Sequence, residues 1–179
     1  MAEVNKTSDI NDLVEFPRET MEIELKEWLD LSEPLVRAKI ARHLAALANH
    51  GGGWIIFGFK DDLSKDEKRP QSLDDYNRDT FGAIIKRYLS PAFECDVSLV
   101  TDKSDHKFPV IRVPSHDRVP IAAKADGPAD GKGRIQGINS GTYYIRKPGP
   151  ESAPIVGAEE WTPLIRRSTA TPIRKSIVS

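Results

Sequence analysis

Cysteine is nearly absent: among 179 residues there is one, Cys95. That excludes an internal disulfide and a cysteine-built zinc cluster, and no zinc site is expected. The histidines, His43, His50, His106 and His116, stand at no HxxxH or HxxE spacing and are given no metal role. Long apolar runs are missing too. Nothing approaches the roughly 20 residues that cross a bilayer, and the N-terminus, MAEVNKTSDINDLVEF, lacks the basic-then-apolar order of a signal peptide. A cytoplasmic location without a membrane partner is therefore expected. No GxxxxGK[ST] occurs, which removes a P-loop for ATP, and no nucleophile elbow supports serine hydrolase chemistry.

What is present is ordinary folding material with an uneven charge. Hydrophobic residues make up 39% and charged residues 30%, enough for one sizeable core or two small ones under a solvated surface. Residues 1–102 hold 13 Lys and Arg against 20 Asp and Glu, a net of −7, whereas 103–179 hold 13 against 7, a net of +6. Such a split permits a cation site on the first half and an anionic partner on the second.

The chain is organised around ARHLAALANHGGGWIIFGFKDD, residues 41–62. Val36, Ile40, Leu44 and Leu47 share one face of a helix predicted over 34–49. Ser32, Glu33 and Pro34 supply its start, with Ser32 as the capping hydroxyl. Gly51 to Gly53 stop it. Trp54 to Phe59 then reads as a strand covered on both faces, and Asp61 and Asp62 stand where it leaves the core. The glycines follow a helix and open a strand, the reverse of a phosphate loop, so they are read as a tight turn. Asn49 is read as a helix-ending residue that bonds this turn.

Upstream, a short helix is predicted around Ile10 to Phe16. Met21, Ile23 and Leu25 alternate with Glu22, Glu24 and Lys26, a strand with Glu24 and Lys26 on one face. Downstream come a charged loop over 61–75, a helix over 76–89 ended by Pro91, and a strand with Cys95, Val97 and Leu99 inward. Strands over 108–114, 119–124 and 141–146 follow, with a Gly- and Asp-rich stretch over 126–141 expected to be mobile. A last helix over 158–167 is predicted to bury Trp161, Leu164 and Ile165. The predicted division is a polar segment over 1–14, one domain over 15–168 and a flexible tail or linker over 169–179. The fold class is α/β in the mixed α+β sense: one mixed sheet flanked by helices.

Glu19, Thr20, Met21, Glu22, Ile23, Glu24, Leu25 and Lys26, then Ala48, Asn49, Gly52, Gly53 and Trp54 to Gly58, then Tyr144, Arg146 and 159–167, resemble the motifs of the AlbA-type domain of the Schlafen family. The resemblance covers about 15–168. It implies a nucleic-acid-binding module of a bacterial-type regulatory or defence protein, often followed by further domains C-terminal to it. It also implies an alternative, a metal-dependent endoribonuclease cutting tRNA or other structured RNA with three carboxylates. By motif position these are Glu19, Glu24 and one of Asp61 or Asp62, holding Mg²⁺ or Mn²⁺, while Lys26 supports the phosphate. The animal nuclease core carries two such lobes and a zinc site, whereas this chain has one lobe. A second alternative is a non-catalytic interaction or oligomerisation module.

For nucleic-acid contact the candidates are Arg37, Lys39 and Arg42 on the helix, with Tyr144, Arg146 and Lys147 on the late strand. Of Tyr143 and Tyr144, one is expected inside and one exposed, where it could stack a base. A single lobe could pair with a second copy, so a homodimer is the expected assembly. DNA or RNA, and binding alone or cleavage, stay open on the sequence.

Overall fold

Alanine decides how the longest helix packs. The computed structural model describes residues 6–170, and its helix α2, Pro34–His50, buries Ala38, Ala41, Ala45, Ala46 and Ala48 beside Ile40, Leu44 and Leu47. Small side chains let neighbours approach from several directions, so α2 is central rather than amphipathic. Glu33, not Ser32, takes the N-cap position. Ser32 instead gives its backbone N–H and hydroxyl to Asp30. Gly51, at φ 117°, ends the helix and returns its N–H to Ala48, a left-handed position that suits glycine.

Strand β1, Ile23–Lys26, pairs in parallel with β2, Gly53–Phe57, and α2 forms the connection between them. Strand β5, Lys107–Val113, runs antiparallel to β2, and β4, Asp96–Thr101, antiparallel to β5. The sheet order is β1-β2-β5-β4, a mixed sheet. Helix α3, Arg78–Tyr88, is capped by the Asn77 side chain. It is followed by β3, Leu89–Ser90, which pairs with β6, Ala122–Ala123. A third sheet joins β7, Tyr144–Lys147, to β8, Glu151–Pro154. A 3₁₀ turn, Ala158–Trp161, leads into α4, Thr162–Ala170.

The period of two along the sheet divides the core. Ile55, Phe57, Ile111 and Val113 face α2 and α3, with Phe81, Ile84 and Ile85 opposite. Ile23, Leu25, Ile56, Val100, Phe108 and Val110 face the other way and are covered by Leu13 and Val14 of α1, Lys6–Glu15. The stretch read as a polar N-terminal segment thus contributes core residues from 13 and 14. At the other end α4 continues through Ala170, and the remainder of the predicted tail lies outside the described residues.

Three local expectations are corrected. Leu99 is 48% exposed and Val100 is buried instead, because β4 is an edge strand whose inward face meets α1. Ile165 is exposed while Leu164 is buried, and Trp161 packs edge-on against Tyr143 with ring centroids 4.8 Å apart. The stretch 126–141 is built as a turn held by Asp130, whose carboxylate accepts the backbone N–H groups of Lys132 and Arg134 at 2.8 and 2.9 Å. An isolated bridge joins Ala129 to Ile135.

Asp102 does the same for the β4–β5 turn, accepting from Ser104 and His106 at 2.9 and 2.8 Å while pairing with Lys65. Burial works against its charge, but these bonds prevail and bring the carboxyl from 3.8 to about 2. A depressed carboxyl stabilises the fold above its unfolded value and loses that contribution as pH falls through the folded one. Asp102→Asn is therefore expected to lower stability at pH 7, with the gap to wild type closing toward pH 2. Urea unfolding at pH 7, 4 and 2.5 measures this, and a gap independent of pH would contradict the assignment.

Candidate functional site

The alternation that makes β1 a strand places Glu24 and Lys26 on the α2 side. That side is closed by β7, whose Arg146 reaches back to the start of β1. Its guanidinium donates from Nη1 to Glu24 and to Ser152 Oγ at 3.0 Å, from Nη2 to the Thr20 carbonyl at 3.0 Å, and from Nε to the Met21 carbonyl at 3.2 Å. Lys26 pairs with the other carboxylate oxygen of Glu24. His43 sits beneath them, its Nδ1 2.9 Å from Ser152 Oγ and 3.4 Å from Glu24. Glu24, His43, Arg146 and Ser152 are all buried.

Burial disfavours the charge on Glu24, yet His43, Lys26 and Arg146 together hold its carboxyl below the usual range. Desolvation dominates at His43 and pushes the ring down to about 3, against the pull of Glu24. The imidazole is neutral at pH 7, so Lys26 and Arg146 carry the stabilisation of Glu24 there.

This arrangement is a closed ion network. Glu24 already spends its carboxylate on Arg146 and Lys26, and the others of the predicted acidic set do not join it in one cluster. Glu19 accepts the Leu25 backbone N–H at 3.2 Å. Asp61 is exposed, and exposed Asp62 holds its own turn through Ser64. Among the described residues no three His, Cys, Asp or Glu side chains are grouped to hold a metal ion. The residues present therefore do not fit a three-carboxylate Mg²⁺ or Mn²⁺ site.

The basic set divides in a similar way. Tyr144 is buried, its hydroxyl accepting the Asn139 N–H at 2.9 Å, and Arg146 is buried in the network. Neither is available to stack a base or meet a phosphate, so both leave the nucleic-acid set. Lys147 is half-buried and paired with Glu160 at 2.8 Å. Lys39 is exposed, while Arg37 and Arg42 are half-buried.

Sequence reasoning missed His43, Ser152 and the role of Asn49. His43 lies three residues after Ile40 and four before Leu47, on the buried stripe, and that spacing was the available signal. Ser152 carried none. Asn49 does not bond the glycine turn: its Nδ2 donates to the carbonyls of Ile121 and Tyr144 at 2.9 and 2.8 Å, and its Oδ1 accepts the Ile121 N–H at 2.8 Å. It clamps the β6 and β7 segments onto the end of α2.

The family model described as Schlafen, AlbA_2 matches residues 19–152, a span that contains the whole network and the glycine turn. No curated protein matches the chain. Among solved structures, the N-terminal domain of a RecG-related protein from Nitrosomonas europaea is similar, with a TM-score of 0.46 and 22% identity over 74% of this chain and 88% of that one. No helix is long and apolar enough to cross a membrane among the described residues.

Proposed function

Since the chain belongs to the Schlafen AlbA_2 family, we propose that it is a nucleic-acid-binding domain that grips the phosphate backbone through exposed lysine and arginine side chains. The observation that carries this is how the two signs of charge are used. Six aspartates fold back on the chain: Asp30, Asp62, Asp66, Asp102, Asp126 and Asp130 accept backbone N–H groups of their own loops or of neighbouring segments. Several cations do not. Lys39, Arg118, Lys124, Lys132 and Arg166 are exposed and form no ion pair with a described carboxylate. These pinned aspartates and the long, unpaired cations suit a polyanion, in spite of a net charge of −1. With Glu24 committed to Arg146, the reading rests on binding rather than cleavage.

The test is fluorescence anisotropy with labelled tRNA, single-stranded DNA and duplex DNA at 50 and 200 mM salt, with and without Mn²⁺. About four phosphate contacts on duplex DNA imply a loss of affinity of about 10²-fold between those salts. Intact nucleic acid with that steep dependence is the expected result. Absence of binding at 50 mM salt, or Mn²⁺-dependent cutting, would overturn it.

A further inference from the structure

We propose that Arg42 and Lys39, on successive turns of α2 beside the 127–138 hairpin, form the phosphate-gripping point of this domain, the ligand being the phosphodiester backbone of a nucleic acid. The proposal rests on the nucleic-acid reading above and assigns it a place. Its first support is an orphan: Nε of Arg42 is buried and is the only such side-chain polar atom without a hydrogen-bond partner among the described residues. Buried donors are nearly always satisfied, and an unsatisfied one points to a missing acceptor. Arg42 also forms no ion pair with a described carboxylate. A guanidinium with an unused N–H donates naturally to a phosphate oxygen.

The second support is what surrounds it. Lys39 precedes Arg42 by three residues, a spacing that puts the two side chains on one helix face about 5–6 Å apart at Cβ, and Lys39 is exposed. The hairpin lies against the same turn of α2. A side chain on Gly137, at φ 83°, would place its Cβ 2.8 Å from Ala38 Cβ and 3.2 Å from the Lys39 nitrogen. Only glycine lets the backbones approach that closely. The hairpin then presents Lys132 outward, while Asp130 holds the turn's backbone and takes the Arg134 guanidinium through Nε and Nη2 at 2.8 Å. One arginine with an unpartnered donor, one lysine a turn away and one unpaired lysine on a fixed hairpin make a phosphate-tracking edge.

Arg42→Gln, Arg42→Lys, Lys39→Glu and Lys132→Glu would be compared with wild type by anisotropy over a salt series, with Lys86→Glu/Arg87→Glu on α3 as a control. Each variant's melting curve confirms folding. The proposal expects about tenfold weaker binding or more for Arg42→Gln and Lys39→Glu, a salt slope lower by about one for each, and an unchanged control. Arg42→Lys keeps the charge and removes the Nε donor, so it should fall toward Arg42→Gln. The Arg42 Nε–Hε resonance should shift when oligonucleotide is added to folded wild type. Wild-type affinity in the α2 and hairpin variants, or a still Arg42 resonance while the protein binds, would overturn the assignment and leave the nucleic-acid reading standing. No binding by wild type would overturn both.

Discussion

Arg146→Ala is expected to destabilise the domain by about 3–5 kcal/mol, because removing one partner of a buried ion pair strands the other charge. Arg146 does more than neutralise Glu24: it also satisfies the Thr20 and Met21 carbonyls and Ser152. Its loss leaves Glu24 with Lys26 alone and a neutral His43 below. Natural domains have about 5–15 kcal/mol in total, so this variant should sit near the edge of folding. The matched test is Glu24→Gln/Arg146→Met. An apolar side chain of similar length beside a neutral amide avoids the stranded charge and should recover part of the loss. Urea midpoints of the two single variants and the double give the coupling energy. A single-variant loss under about 1 kcal/mol, the range of an exposed pair, would show that the network is peripheral.

Asn49→Ala is the second large effect, at about 3 kcal/mol or more. The side chain is fully buried and makes three hydrogen bonds to Ile121 and Tyr144. Truncation strands one N–H and leaves two carbonyls short of a donor, and each unsatisfied buried group costs about 1–3 kcal/mol. For a chain of this size the loss corresponds to a melting temperature lower by about 6–12 °C. Asn49→Asp removes both donors and buries a charge against two carbonyls, so it should be worse than alanine. Equal melting of wild type and Asn49→Ala would contradict the clamp.

The sequence exposed the sheet and the helices clearly where a single period ruled. The alternation of Ile23 to Lys26, the apolar run after Gly53 and the Pro34 start all gave elements close to the observed ones. The motif residues gave the family as well. What stayed hidden depended on partners far along the chain. Glu24 and Lys26 read as two groups sharing one strand face because nothing local announces Arg146, and Arg146 read as a nucleic-acid contact for the same reason. β8 was invisible: Glu151–Pro154 is small and polar, and it becomes a strand only by pairing with β7. The Gly- and Asp-rich stretch read as mobile because composition does not reveal that Asp130 bonds its own backbone or that Gly137 rests on Ala38.

The pairing of Glu24 with Arg146 spans 122 residues of chain. At a synthesis rate of roughly 5–20 residues per second, β1 is made about 6–24 s before Arg146, the buried cation that joins Lys26 on Glu24. During that interval the strand carries an acid on the face destined to become dry, and the alanine surface of α2 lacks its β7 cover. The β7–β8 sheet therefore works as a latch made late in the domain's synthesis. A ribosome that stalls before the Arg146 codon holds a chain with most of this domain's core residues made and the latch still missing.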